Sequence, residues 1–439
     1  MTFPRSRSFR YSLVMVSLLL CARIEAVDWA RILGGTDLDV PWSIDLTPDG
    51  GVIVAGFTAS YGMGSDDGIV AKFNSKGQRI WSKTYGGTDD EELSCIVQRR
   101  DGGYFVSGYT DSFGAGWNDA WLLRINASSR IVWQKTYGGW GGDYVFLIRE
   151  TRDGGVIMVG QTYTYGAGNW DILLMKTSTS GNLQWARTFG GTEEDRAFSV
   201  ELTPDGGYVV AGWTYSFGAG QADFWVLKLD AAGGIQWQRV YGGKKDDWAF
   251  SIKPTMDGGY VVVGNTDRFT GPKGHGRAWV LKLSSAGAIQ WQKVYRGKAN
   301  FEELRNVWQV SDGNFIVAGR ISNRPSVLKL SPNGSIIWQR QYHEIHTIED
   351  LVPDDTGGYF AAGQRWYSDF GKEDIAILKL DPDGKLDCSE WFQDGDAVSI
   401  STKAWTAKTA CTVTFPSIVI TRTTVGNINA EPQVLNACN

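Results

Sequence analysis

Apolar and polar side chains alternate with a period of two over short runs along most of the chain, as in GYVVVGNT (259–266) and WVLKL (279–283). Successive residues of a strand face opposite sides, so such runs, rich in β-branched and aromatic residues, predict half-buried β-strands. No ten-residue segment keeps a helical period. Turns combining Asp with Gly separate the runs, among them TMDGG (255–259) and DAAGG (230–234), where glycine accepts a positive φ. The resulting unit has four short strands: WAFSIKPT (248–255), GGYVVVGNT (258–266), AWVLKL (278–283) and one of the type IQWQRVY (235–241).

This unit recurs. Its fourth-strand tryptophan stands at Trp29, Trp81, Trp133, Trp185, Trp237, Trp291 and Trp338, in steps of 52, 52, 52, 52, 54 and 47 residues. Turns after the first strand begin at Asp49, Asp101, Asp153, Asp205 and Asp257 and degrade at Asp312 and Thr356. Third strands end at Lys72, Arg124, Lys176, Lys228, Lys282, Lys329 and Lys379, so each marker counts seven copies. The chain enters on a fourth strand, WARILGG, and leaves its last repeat on a third, IAILKLDPDG, with Cys388 in the slot of the missing tryptophan. A linear array would leave both edges open, whereas a ring pairs them. The expected fold is all-β: a signal peptide over 1–26, then a seven-bladed β-propeller of four-stranded blades over 27–388, closed by the N-terminal strand. A small Cys-containing, β-rich tail follows over 389–439. The tryptophans are expected to dock neighbouring blades, which ranks Trp185→Ala among the most destabilising changes.

Several motifs recur in order: DGGY(V/F)V(V/S)G(Y/W)T, SFGAG, D-x-W-(V/L)-L-(K/R) and W-Q-(K/R)-x-YGG. Residues 29–388 thereby resemble the repeats of exported bacterial and archaeal β-propeller proteins, a group mostly without assigned biochemical function. The segment KLDAAGGIQW (228–237) is similar to the tryptophan-docking motif of quinoprotein-type propellers. Quinoprotein dehydrogenases would imply a cofactor cradle, in many cases with adjacent cysteines. This chain has no adjacent cysteine pair, so that activity is not carried over.

Composition adds compartment and charge. Arg5, Arg7 and Arg10 precede an apolar run from Tyr11 to Ala22 and then Ile24-Glu25-Ala26, which predicts a secretory signal cleaved after Ala26 and an exported protein. A lipoprotein reading would use Cys21, but Leu20 precedes it where a small residue is needed. Removing four arginines and one glutamate with that segment moves the formal charge from −5 to −8, which disfavours nucleic acid as partner. No other apolar stretch is long enough to predict a membrane span. A monomer binding a protein or a glycan is the expectation. In an oxidising compartment, one disulfide among Cys388, Cys411 and Cys438 would clamp the tail to the last blade, with anchoring or sorting at the cell surface as the other reading. Cys95 falls where other repeats carry Ser43, Ser199 and Ser251, so it reads as a small buried side chain.

If strands alternate in direction, the loops from fourth to first strand and from second to third share one face, and function is expected there. Two acidic ladders fall on it: Asp39, Glu91, Asp143, Asp195 and Asp247, and Asp67, Asp119, Asp171 and Asp223. Their oxygens could bind calcium, Asp67, Asp119, Asp171 and Asp223 being the candidate metal ligands, although an acid in every blade more often accepts N–H bonds from its own loop. Repeats five and six depart from the pattern, and Lys273, Arg277, Arg296, Lys298, Arg320 and Arg324 form a candidate basic sector for an anionic ligand such as a uronic-acid sugar. Tyr61, Phe113, Trp117, Trp140, Tyr165, Trp170, Phe217 and Phe269 are placed for stacking on sugars or for packing within their loops. His343 and His346 lack the spacing of two metal ligands on a helix, and no nucleophile elbow, phosphate loop or paired-cysteine motif is present. A non-enzymatic binding scaffold is the leading expectation, and a carbohydrate-active enzyme with carboxylates at the channel mouth the alternative.

Overall fold

In the computed structural model, the described residues are 28–267, 276–298, 301–366 and 372–386, together with the backbone of seven short strands between 392 and 436. The ring is seven four-stranded antiparallel blades. Blade four shows the pattern: inner strand Asp195–Leu202, then Tyr208–Thr214, Asp223–Leu229 and outer strand Ile235–Gly242. Blade seven is composite. Asp350–Pro353, Tyr359–Trp366 and Glu373–Leu380 come from the end of the repeats, and Trp29–Gly34 pairs antiparallel with the last of these, Trp29 opposite Lys379. The predicted closure is therefore present.

The core lies between blades. Seven clusters of buried side chains each combine residues of two neighbouring blades, so each sheet buries both faces and only the ring edges meet water. The outer-strand tryptophans Trp29, Trp133, Trp185, Trp237, Trp291 and Trp338 dock on the turn between third and outer strands of the next blade. Trp29 donates to Ser75 O at 3.0 Å and Trp237 to Ser285 O at 3.1 Å. A Cβ on Gly233 would lie 3.0 Å from the Trp185 ring, which explains the glycine, held at φ +80°. These docking rings are mostly half-buried, and the fully buried tryptophans are Trp121, Trp225 and Trp279 of third strands. The largest cost of truncating a tryptophan is therefore expected at the fully buried positions such as Trp225, with Trp185 below it.

On the opposite face, two repeated motifs prove to be partners. The turn aspartate after each inner strand pairs with the last basic residue of the third strand: Asp49 with Lys72 at 2.9 Å, Asp101 with Arg124 at 2.7 Å, Asp205 with Lys228 at 2.7 Å and Asp257 with Lys282 at 2.8 Å.

The C-terminal tail is a belt rather than a lobe. Phe392–Asp394, Val398–Ser401, Trp405–Ala407, Thr412–Thr414, Val419–Thr421, Asn427–Ile428 and Gln433–Asn436 add a fifth strand to blades six, five, four, three, two, one and seven in turn. Opposite the equivalent outer-strand residues Tyr342, Tyr295, Tyr241, Phe189, Tyr137, Tyr85 and Leu33 stand Phe392, Ser399, Thr406, Val413, Ile420, Asn427 and Val434, a constant step of seven residues. The belt covers sheet edges that would otherwise be open. The expected signal peptide and the cysteines Cys388, Cys411 and Cys438 lie outside the described residues. Cys95 is a buried free thiol 3.9 Å from Ser43 Oγ.

Candidate functional site

The inner strands enclose a central cavity of about 670 Å³. Six of them carry a β-bulge, the register skipping one residue between Pro41 and Ser43 and at the equivalent places in blades two to six. A bulge redirects the extra side chain. The skipped residues, Trp42, Ser94, Phe146, Phe198, Phe250 and Arg305, all line the cavity, joined by Glu349 of blade seven. Strands otherwise alike therefore present seven side chains of very different chemistry at one level.

Half of this wall is aromatic and continuous with the loop-rich face. Ring centroids follow one another from exposed Trp140 to Tyr163 at 5.8 Å, Trp170 at 5.3 Å, Tyr144 at 5.7 Å, Phe146 at 6.4 Å, Phe198 at 4.9 Å and Phe250 at 5.8 Å. The other half is charged. Arg305 bonds Glu349 at 2.7 Å and Glu303 at 3.0 Å. At the mouth, Glu92 accepts from Tyr109 at 2.7 Å and Trp42 at 3.1 Å. Burial raises the Glu92 carboxyl against those two hydrogen bonds, with Asp66 and Asp90 adding to the rise.

Deeper in, a girdle crosses blade junctions. Arg149 bonds Glu201 at 2.6 Å, Lys253 also binds Glu201, and Lys253 Nζ sits 3.9 Å from the centre of the Trp308 ring, whose N–H reaches Leu351 O at 2.7 Å. Burial works against the Glu201 charge, but Arg149 and Lys253 together hold this carboxyl below its ordinary range. Asp350 is pushed up to about 6 by burial despite accepting from Ile44 N at 3.0 Å.

The two acidic ladders open the third and inner strands at the loop-rich face. Asp67 accepts N–H bonds from Met63 at 2.8 Å and Gly64 at 2.9 Å, and Asp119 and Asp171 do the same in their blades. Of the basic sector, Arg277 binds Glu302, Arg320 contacts His346 at 3.1 Å and Arg324 contacts His343. Arg296 and Lys298 are exposed on the same face, while Lys273 and Phe269 lie outside the described residues. Among the loop aromatics, Tyr61 and Tyr165 bond Gly34 O and Gly138 O, and Phe113 and Phe217 pack on Trp121 and Trp225. Trp117 and Trp140 remain exposed at 74% and 65%, which leaves them open to a ligand. Sequence reasoning placed the site in the loops and missed the bulge residues. Their signal is a position that changes character from repeat to repeat inside a strand that otherwise does not.

The fold and the cavity define a seven-bladed β-propeller with a chemically asymmetric central site. No family model matches the chain. It is similar to the regulatory protein FlaEY of Caulobacter vibrioides, 25% identical over 176 residues, an alignment covering 36% of this chain and 18% of that protein. The aligned part is thus under a fifth of that relative's length. Among solved structures, Sqt1 from Chaetomium thermophilum matches at TM-score 0.48 and 11% identity, covering 81% of this chain and 98% of that one. Drosophila Plexin A in complex with Semaphorin 1b matches at TM-score 0.39 and 9% identity, with 78% and 87% covered. Endo-1,5-alpha-L-arabinanase from Thermotoga petrophila matches at TM-score 0.28 and 12% identity, with 82% and 98% covered. The propeller architecture rests on the chain's own strand pairing.

Proposed function

We propose that this is an exported binding propeller, without catalytic turnover, whose loop-rich face takes a glycan or a protein at the mouth of the central cavity. The observation that carries this reading is the aromatic track from Trp140 to Phe250, partly exposed rings leading from the rim into the cavity beside hydrogen-bonding carboxylates. Such a surface suits a glycan, whose apolar ring faces stack on aromatics while its hydroxyls donate to Glu92 and Glu349. The negative charge of the mature chain turns polyanions away, and among the described residues no helix is long and apolar enough to cross a membrane.

The test is binding of residues 27–439 to a glycan array, with and without calcium, followed by product analysis of every hit. Saturable binding that falls about tenfold in Phe198→Ala, the equivalent of about 1.4 kcal/mol, is the expected result. Binding that is indifferent to this change removes the cavity from the reading. The second reading, a carbohydrate-active enzyme, draws on Glu92 and Asp350, two raised carboxyls lining one cavity. Cleavage of a bound glycan, lost in Glu92→Gln, would establish it in place of the first.

A further inference from the structure

The two acidic ladders are one feature. At five of the seven blade junctions, the aspartate that opens a third strand faces the acid that opens the next inner strand, across the first glycine of YGG or its equivalent. These sets are Asp67 and Glu91 at Gly86, Asp119 and Asp143 at Gly138, Asp171 and Asp195 at Gly190, Asp223 and Asp247 at Gly242, and Asp374 and Asp39 at Gly34. A Cβ on Gly86 would lie 2.0 Å from Asp67 Oδ1 and 2.6 Å from Glu91 Oε2, so the carboxylates occupy the space a side chain would need. All ten acids are 1% exposed or less.

Paired acids out of water need a positive charge or a shared proton between them. Among the described residues, no lysine or arginine pairs with Asp67, Glu91, Asp119, Asp143, Asp171 or Asp195. One oxygen of Asp67 and of Asp171 is fully used by loop N–H donors, while Oδ1 of each, aimed at the partner acid, accepts no hydrogen bond. Burial pushes Asp67 up to about 6 against its hydrogen bonds from Gly64 and Met63, and Glu91 adds to the rise.

The other two junctions show what satisfies the slot. At the sixth, Arg277 stands in the aspartate position and binds buried Glu302, and the glycine position is Arg296. At the seventh, Arg324 and His346 replace both acids and His343 replaces the glycine. The glycine is kept only where both acids are present, and where the third-strand aspartate is lost its place is taken by an arginine, Arg277 or Arg324. We propose that each of the five acid pairs binds one hard cation, calcium by its preference for oxygen donors, and that the Arg277 guanidinium is the tethered substitute at the sixth junction.

The experiment is elemental analysis and native mass spectrometry of the full mature chain, before and after EGTA, with thermal unfolding in EGTA, calcium or magnesium. Calcium near five equivalents, a Tm lowered by EGTA and restored by calcium, and loss of one equivalent in Asp119→Asn are expected. The double change Arg277→Asp with Arg296→Gly rebuilds the acid pair and its glycine and is expected to add one equivalent. A metal-free chain whose Tm ignores both EGTA and calcium overturns the proposal in favour of pairs sharing a proton. The wild-type measurement decides this even where a variant does not fold, and it is independent of ligand binding in the cavity.

Discussion

Trp225 and Trp185 belong to the same interblade cluster, yet Trp225 is fully buried within it and Trp185 packs on it from a half-buried position. Trp225→Ala leaves a cavity and strips Gln238 of its indole donor at 3.2 Å, so a loss of about 3–5 kcal/mol is expected in urea unfolding, with Trp185→Ala costing about half as much. A larger loss at Trp185 would show that docking on the Gly233 turn, rather than burial, dominates. Asp205 offers a pH test. Partial burial opposes its charge, but Lys228, Thr203 and the Gly207 N–H hold its carboxyl at about 2. Its unfolded value is about 3.9, so its contribution is complete above that pH and disappears as pH falls through about 2. Asp205→Asn should lower stability at pH 6 by at most about 1 kcal/mol, Asp205 being half exposed, and flatten the acid limb of the stability profile.

At the scale of strands, the sequence carried the blades well because their markers repeat: the glycine turns after the first strand, the basic residues that end the third and the docking tryptophans each count seven. It also placed the phase, since WARILGG is a fourth strand without a preceding third. What it carried poorly lies where the period of two breaks. The bulges at Trp42, Phe146 and Phe198 shift the alternation by one residue, so side chains that line the cavity fall on the parity of the core. The two acidic ladders were visible as separate columns, whereas their meeting over Gly86 and its equivalents is set by the approach of consecutive blades. The belt was hidden for another reason: the runs VSISTKAW (398–405) and TVTFPSIVITRT (412–423) alternate and read as strands, but nothing in strands of two to four residues says that each pairs with a different blade. Truncation after residue 388 uncovers seven outer-strand edges, and a Tm lowered by several degrees with concentration-dependent association is the expected outcome. A truncated chain with unchanged Tm would mean that the belt adds nothing to the ring.

For the whole molecule, the ring couples the earliest and latest parts of the chain, since Trp29 pairs with Lys379 and Leu33 with both Ile375 and Val434. Removing residues 27–34 should therefore unfold blade seven and open the ring, seen as loss of the cooperative transition, whereas deletion of an exposed loop should leave it intact. Pairing across so much of the sequence also makes closure the slowest event expected in refolding. During synthesis the strand Trp29–Gly34 has no partner until Glu373–Leu380 has been made. A ribosome that stops between these two segments thus releases blades with a bare edge at each end, and closure itself is a proofreading step: only a chain that reaches Glu373–Leu380 hides the strand Trp29–Gly34.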